Sequence, residues 1–300
     1  MGVPSALTAA RLFASVSRLH IVAIATLGTF TFGWLFTGAY PWLLAAICAV
    51  DWFVVNLLNR VVDLQEDKAN RIVGTGFVEQ NRRLLMVVGF GALFASFIGT
   101  YLVVPEITGL RLAYHALGLS YNWPLLPGKR RIKELYFFKN TASGMGFIIT
   151  VFLYPLASIG WSLAGAPAGV TTATVVLSAA FFLTFELSYE AIYDLRDAEG
   201  DAEANVRTYA VVHGEAGALR IIDALIATSI VVQLVGYGAG LLPWRFFIMV
   251  VAPVAQLFLY KRAHRRGLTS KDCISLTWLG AGMLLAYHLW VIAGLPGVGV

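Results

Sequence analysis

Residues 41–67 read PWLLAAICAVDWFVVNLLNRVVDLQED, an apolar run that passes directly into a polar, acidic end. The apolar part, 41–58, is close to the ~20 residues that a helix needs to cross the hydrocarbon core of a bilayer. In the acidic end, Asn59, Asp63 and Asp67 recur every fourth residue, which places their side chains on one face of a helix. The stretch therefore predicts a membrane-spanning helix with oxygen ligands at one end.

Apolar runs of this kind recur along the whole chain. Of its 300 residues, 58% are hydrophobic and 13% are charged, whereas a soluble domain usually carries about 25% charged residues. The runs are continuous rather than alternating, which favours helices over a β-barrel. We predict an all-α polytopic membrane protein in which residues 1–300 form a single domain. The nine predicted spans are 20–38, 41–58, 84–104, 107–122, 135–156, 170–193, 217–237, 243–261 and 274–294.

The distribution of lysine and arginine predicts the orientation in the membrane. Of these 22 residues, only Arg111 and Arg245 fall on the side of the short, almost uncharged loops. Positive charge collects on the cytoplasmic side of membrane proteins, so we expect the N-terminus and the charged loops there, in the cell (inner) membrane. The net charge of +5 is thus a sign of topology, and we expect no nucleic-acid partner. We also expect no cleavable signal peptide, since residues 1–20 are amphipathic and lead directly into the first span.

A second acidic cluster follows the sixth predicted span and reads Asp194-Leu-Arg-Asp197-Ala-Glu-Gly-Asp201. Crowded acids repel one another unless cations compensate. Carboxylate oxygens suit Mg²⁺, which commonly bridges carboxylates to substrate phosphates. The first cluster alone could be an ordinary solvated loop, but two clusters on one membrane face predict a site that holds a lipid diphosphate through Mg²⁺. The predicted metal ligands are Asn59, Asp63, Asp67, Asp194, Asp197 and Asp201.

Basic residues near these clusters are candidates for binding phosphate oxygens. The segment 121–133, YNWPLLPGKRRIK, is an aromatic–proline turn followed by four cations, although positive-inside anchoring explains most of these charges equally well. Lys139 lies inside a predicted span. It could neutralise the diphosphate, pair with Glu186 or Glu190, which share a helical stripe with Asp194, or extend to the cytoplasmic surface.

Asp51, His115 and His288 are ionisable residues that also lie within predicted spans. Asp51 lies two helical turns from Asn59 on nearly the same stripe, about 12 Å deeper along the helix. It could bind or deprotonate an acceptor or stabilise a carbocation, or it could be a protonated or paired structural acid. For His115 and His288 we predict hydrogen bonds between helices.

Motifs of several soluble enzyme classes are absent from the sequence. It contains no Walker loop, no GxGxxG after a strand, no CxxC and no HExxH. Its two cysteines, Cys48 and Cys273, lie in or beside apolar runs and indicate neither a disulfide framework nor a thiolate metal site.

With these motifs in place, the chain resembles the UbiA superfamily of intramembrane prenyltransferases. Asn59, Asp63 and Asp67 match the NxxxDxxxD motif of that family. The second cluster, followed by Arg207-Thr208, resembles its second Asp-rich motif, and Tyr121, Pro124 and Lys129 resemble the stretch between spans four and five. The likeness covers nearly the whole chain. One departure is that members usually carry Arg-Pro before a glycine, whereas here Arg71 is followed by isoleucine.

The resemblance implies nine transmembrane helices around a central cavity, capped by cytoplasmic helical loops. Two Mg²⁺ ions would hold an isoprenyl diphosphate between the Asp motifs, with its tail in an apolar cavity walled by residues such as Trp52, Phe53, Phe185 and Tyr189. The predicted catalytic residues are Asp63, Asp67, Asp194, Arg71, Lys129 and Lys139. The predicted substrate-binding residues are Asn59, Arg71, Tyr121, Lys129, Lys139, Asp51, Glu190 and Tyr189.

The resemblance implies Mg²⁺-dependent transfer of an isoprenyl group to a small, aromatic acceptor within the membrane. The expected partners are isoprenyl diphosphate, that acceptor and membrane lipids. A terpene cyclase on the same fold would use the same metal motifs, and only dependence on an acceptor separates the two. A transporter or lipid-binding protein would also explain charges inside the membrane, but not two acidic motifs of the Mg²⁺ type on one face.

Overall fold

The computed structural model of the chain describes residues 6–70, 72–203 and 206–297, and within these ranges it contains helices and no strand. The α-helices are α1 Ala6–Val16, α2 Leu19–Thr37, α3 Trp42–Val62, α4 Leu64–Ala69, α5 Thr75–Gln80, α6 Arg82–Val103, α7 Thr108–Asn122, α8 Phe138–Phe147, α9 Tyr154–Ser158, α10 Thr172–Arg196, α11 Ala198–Glu203, α12 Tyr209–Gly238, α13 Trp244–Phe247, α14 Val251–His264 and α15 Ser270–Ile292. A π-helical segment, Ile148–Leu153, joins α8 to α9.

Eight helices in the described part of the chain are long and apolar enough to cross a membrane, so this is an integral membrane protein. Six of them are α2, α3, α6, α10, α12 and α15, and the other two are the composite helices Phe138–Ser158 and Trp244–His264. They coincide with eight of the nine predicted segments. At the remaining segment, 107–122, helix α7 has only 15 residues, so a ninth span stays a prediction.

The long helices contact one another in a closed circuit. From α2 the contacts run through α3, α7, α8, α10, α12, α14 and α15, which packs back against α2. Inside the circuit the apolar core is rich in aromatic rings, and Phe32 lies 4.7 Å from Phe152 and 5.7 Å from Phe182 between ring centroids. Because a helix in a bilayer can face lipid with apolar side chains, the polar groups collect within this circuit and at one end of it.

Hydrogen bonds from local side chains fix where several helices begin. The hydroxyls of Thr171, Thr208 and Thr269 accept a hydrogen bond from the backbone N–H three residues further on, at the starts of α10, α12 and α15. Such N-caps satisfy donors that have no partner within the helix. At the other end of α2, Gly38 has a φ of 75°, a left-handed conformation that ends the helix and suits glycine.

Asp51 lies at the centre of a fully buried polar network. Arg111 on α7 forms a bidentate ion pair with it, and the hydroxyl of Tyr154 donates to Oδ2 at 2.8 Å. His115 Nε2 lies 2.8 Å from Asp51 Oδ1. Asp51 is therefore a paired acid that joins α3, α7 and α9, and the pairing explains why Arg111 departs from the charge pattern of the loops.

His115 and His288 make the predicted hydrogen bonds between helices. His115 joins α7 to α3 through Asp51, and His288 Nε2 on α15 lies 2.9 Å from Thr31 Oγ1 on α2. Their partners lie far away in the sequence but on adjacent helices, as expected when a polar group must be satisfied away from water.

The contact of Gly33 on α2 with two proline rings is expected to be sensitive to a single methyl group. A Cβ at Gly33 would lie 2.6 Å from Pro41 Cγ and 3.3 Å from Pro155 Cγ, and neither rigid ring can move aside easily. We expect Gly33→Ala to destabilise the protein by about 1–2 kcal/mol. The added methyl group overpacks the contact, and the higher helix propensity of alanine offsets only part of that cost. Thermal unfolding in nanodiscs measures the change. Gly282→Ala, where a Cβ meets nothing within 4 Å, is the control and should not lower stability.

Candidate active site

The first acidic cluster lies where α3 ends and α4 begins. Asn59 Nδ2 donates to Asp63 Oδ2 at 2.7 Å and to Asn122 Oδ1 at 2.6 Å. Lys133 Nζ donates to the other oxygen of Asp63 at 2.6 Å, and Arg131 Nη1 lies 3.5 Å from the same oxygen. The helical spacing of four thus brings Asn59 and Asp63 together, and two cations from the loop after α7 face them.

Asp67, one turn further on, has separate cationic partners. Arg60, fully buried on α3, forms an ion pair with it, and Arg18 at the start of α2 lies 4.0 Å away. Burial raises the pKa of Asp67, while the charges of Arg18 and Arg60 oppose that rise. Neither arginine was assigned a role from the sequence. Arg60 lies within the quoted motif, but its contact with Asp67 depends on how α4 turns back against α3.

The second acidic cluster is held together by Lys139. Its ammonium group donates to Asp194 Oδ1 at 2.7 Å and to Asp201 Oδ2 at 3.0 Å, and Asn140 Nδ2 donates to the other oxygen of Asp194 at 2.8 Å. Burial raises the pKa of Asp201 to about 6, against the opposing charge of Lys139. The suggestion that Lys139 pairs with Glu186 or Glu190 is wrong, because both of its bonds are to the later acids.

The remaining acids of the second stripe have other contacts. Asp197 pairs with the neighbouring Arg196, whose Nε donates to it at 2.7 Å. Glu190, one turn before Asp194, accepts a hydrogen bond from Ser143 Oγ at 2.7 Å. The structure therefore joins Asp194 and Asp201 directly through one cation, while Asp197 and Glu190 lie beside them with partners of their own.

The two clusters lie next to each other. A Cβ at Gly200 on α11 would lie 2.1 Å from Asn70 Oδ1 at the end of α4, so the short helices that carry the two clusters are in contact. Tyr121 on α7 directly precedes Asn122, whose Oδ1 accepts a hydrogen bond from Asn59 of the first cluster. The structure thus brings together acids that are about 130 residues apart in sequence.

Lys129 and Arg71, the two other predicted cations, are not among these contacts. Lys129 is exposed in a turn with a φ of 58°, and its side chain has no ion-pair partner among the described residues. Arg71 lies outside the described residues. Instead, the 3-10 turn Ile132–Glu134 directs Lys133 toward Asp63, where it is only 3% exposed. The roles of Lys129 and Arg71 stay predictions.

The chemistry of the first cluster fits a hard divalent cation. The carbonyl oxygen Oδ1 of Asn59 is buried and has no hydrogen-bond partner, and the carboxylates of Asp63 and Asp67 lie on the same stripe. Oxygen atoms of this kind are the ligands that Mg²⁺ prefers. Within ranges 6–70, 72–203 and 206–297, no three His, Cys, Asp or Glu side chains form a group that could hold a metal, and the carboxylates of Asp63, Asp67 and Asp194 bond to lysine or arginine instead.

An apolar cavity of about 290 Å³ lies among α2, α10, α14 and α15. Phe185 and Tyr189, both predicted wall residues, line it. Trp52 and Phe53 pack elsewhere, Trp52 at 4.2 Å from Phe147 and Phe53 at 6.5 Å from Phe13 between ring centroids. Because α10 carries both the cavity wall and Asp194, this helix connects the apolar space to the acidic end.

Loss of the Lys139 ammonium is expected to destabilise the second cluster. Lys139→Met leaves Asp194 and Asp201 close together and largely buried without their shared cation. We expect a loss of roughly 3 kcal/mol in unfolding free energy, and a larger rise in unfolding temperature on adding Mg²⁺ than the native protein shows. Thermal unfolding with and without Mg²⁺ measures both effects. Lys139→Arg keeps the charge and should lose less stability; an equal loss in both variants would contradict the explanation.

Comparisons with known proteins agree with this architecture. A UbiA homolog from Archaeoglobus fulgidus bound to GPP and Mg²⁺ has a TM-score of 0.70 and 14% identity, over 94% of this chain and 99% of that chain. The apo structure of a UbiA homolog from Aeropyrum pernix K1 has a TM-score of 0.64 and 16% identity, over 89% of this chain and 96% of that one. A structure described for digeranylgeranylglyceryl phosphate synthase in membranes has a TM-score of 0.57 and 13% identity, over 96% of this chain and 98% of that chain.

These similarities show a common fold. No curated protein matches the chain in sequence. The model of the UbiA prenyltransferase family, however, matches residues 42–285, a stretch that includes both acidic clusters, Lys133, Lys139 and the cavity wall on α10. The chain therefore belongs to the UbiA prenyltransferase family.

Proposed function

We propose that this protein transfers an isoprenyl group from an isoprenyl diphosphate to a small aromatic acceptor within the membrane, and that residues 1–300 form one domain with this activity. The observation that carries the proposal is the meeting of two acid-and-cation clusters at one end of a helix circuit that contains an apolar cavity. The family match and the GPP and Mg²⁺ bound to the Archaeoglobus fulgidus homolog support the choice of substrate.

In this proposal the acidic side chains hold Mg²⁺. The ligands would be Asn59, Asp63 and Asp67 on one side, and Asp194, Asp197 and Asp201 on the other. Bound Mg²⁺ would neutralise charge on the diphosphate and make it a better leaving group.

The cations around the clusters would bind the diphosphate oxygens. Lys133, Arg131 and Lys139 already point at the carboxylates, so each can donate to a phosphate oxygen that enters between them. Such fixed donors stabilise the negative charge that grows as the bond between C1 and the diphosphate oxygen breaks. Arg71 and Lys129 are proposed to add positive charge from the neighbouring loops, and the Tyr121 hydroxyl is proposed to donate to a diphosphate oxygen.

The apolar interior would protect the carbocation that remains. Phe185 and Tyr189 on α10 face the cavity that would hold the isoprenyl chain. The cavity keeps out water, which would otherwise react with the carbocation. The acceptor then supplies an electron pair to C1 and gives up a proton, which the released diphosphate can take. The excess of lysine and arginine near the clusters suggests that this end faces the cytoplasm in the cell membrane, with surrounding lipids as partners of the outer helix faces.

The test is to incubate purified protein in nanodiscs with Mg²⁺ and allylic diphosphates of increasing length, with and without a panel of phenolic acceptors, and to identify products by mass spectrometry. We expect a prenylated product only when Mg²⁺ and an acceptor are both present. Conversion of the diphosphate to a cyclic hydrocarbon or terpene alcohol without acceptor would show that the protein is a terpene cyclase and not a transferase. No conversion of any diphosphate under either condition would overturn the proposal.

A further inference from the structure

One carboxyl group lies in the wall of the apolar cavity. Glu186, on α10, lines the cavity and is only 7% exposed. Among the described side chains that line this space, it is the only ionisable acid or base other than tyrosine. Neither the family motif nor the proposed metal site uses it.

Every other side-chain hydrogen-bond donor in that wall has a protein partner. The hydroxyls of Tyr189 and Tyr287 donate to the carbonyl oxygens of Leu276 and Arg245, at 3.3 and 2.9 Å. The indole N–H of Trp290 donates to the carbonyl of Pro296 at 3.2 Å. These three groups are therefore satisfied without a ligand.

Glu186 differs because none of the described residues forms a hydrogen bond or ion pair with its carboxyl group. Its neighbour on the stripe, Glu190, accepts from Ser143 and cannot donate to it when ionised. A buried polar group without a partner is costly, and such groups in native proteins are few. The position indicates that a bound molecule supplies the missing hydrogen bond.

We propose that Glu186 binds the hydroxyl group of a neutral, otherwise apolar molecule in this cavity, and that this molecule is the acceptor. The identification as acceptor rests on the proposed prenyl transfer. The apolar body of such a molecule fits the aromatic and aliphatic wall beside the isoprenyl chain, which is proposed to lie in the same cavity. The chain alone, being a hydrocarbon, would leave the carboxyl group unsatisfied. An anion would be repelled by the acids of the stripe, while a hydroxyl can donate to a carboxyl oxygen at little desolvation cost. Glu186 is thus a specificity-determining residue for a phenol or alcohol.

The proposal can be tested by binding alone, without Mg²⁺ or diphosphate. The probes are 2-naphthol and 2-methylnaphthalene, which have nearly the same shape and differ in one hydroxyl. Dissociation constants are measured with protein in nanodiscs, after subtracting the partitioning of each probe into empty nanodiscs. We expect the native protein to bind 2-naphthol about tenfold more tightly, the effect of one added hydrogen bond to a carboxyl group. Because no transfer step is involved, failure of prenyl transfer and failure of this proposal give separate results.

Two variants make the test specific. Glu186→Leu should abolish the preference for 2-naphthol, and Met283→Leu, which changes another residue of the same wall, should keep it. A preference that survives in Glu186→Leu would overturn the proposal. If Glu186→Leu does not fold, the native protein still decides, because equal binding of the two probes to it would also overturn the proposal.

Discussion

Replacing Asp63 by Asn is expected to lower the rate of prenyl transfer by about a thousandfold, the upper range for loss of one charged group that stabilises a transition state. Asp63 is the acid on which Asn59, Lys133 and Arg131 converge. The variant keeps the shape of the side chain but removes the charge that orders Lys133 and that would bind Mg²⁺. Initial rates with geranyl diphosphate, Mg²⁺ and the acceptor found in the product screen measure the loss.

Glu66→Gln is the matched control for Asp63→Asn. Glu66 contacts the same two cations, Arg131 and Lys133, but it is more exposed and is not a proposed metal ligand. We expect the rate of prenyl transfer by Glu66→Gln to fall by no more than about tenfold, because only a partly solvated ion pair is lost. Similar losses in both variants would mean that the effect is a general one on the cations and not specific to Asp63.

Arg111→Met is expected to destabilise the protein by about 3–5 kcal/mol, because it leaves a buried carboxylate without its main counter-charge. Arg111 also donates to the carbonyl of Ser96 at 2.9 Å and to Thr100 Oγ1 at 2.7 Å, so it ties α6 to α7 as well as to Asp51. Thermal and denaturant unfolding in nanodiscs measure the change. This result would mark Asp51 as a residue that holds helices together.

A double variant separates the charge from the packing. In Asp51→Asn with Arg111→Met, no charge remains unpaired, and Tyr154 and His115 can still bond to the amide. We therefore expect the double variant to recover a large part of the loss. If instead the two losses simply add, the ion pair is not what joins these helices. If Asp51→Asn alone lowers transfer without lowering stability, Asp51 acts on substrate as first predicted.

Local geometry explains what the sequence could predict of this site. Helical periodicity is a property of neighbouring residues, so the spacing of Asn59 and Asp63 was enough to predict that their side chains share one face of the helix. The same periodicity predicts that Glu186 and Asp194 share one face of their helix. The histidine bonds between helices were also predictable, since a polar group in a span must find a partner.

Contacts that depend on loop conformation were not predictable in this way. Four cations lie within residues 129–133, and no periodicity selects among them. The left-handed turn at Lys129 and the 3-10 turn after Arg131 turn Lys133 inward and leave Lys129 exposed. The ion pair of Arg60 with Asp67 likewise depends on the bend between α3 and α4, which one sequence alone does not define.

Equilibrium binding of geranyl diphosphate tests whether both acidic clusters hold one diphosphate through Mg²⁺. It is measured with and without Mg²⁺ for the native protein, Asp63→Asn and Asp194→Asn, each first shown to be folded. We expect native binding to require Mg²⁺ and either substitution to weaken it by about a hundredfold or more. Binding that is independent of Mg²⁺, or that persists unchanged when one of the two clusters is altered, would contradict it.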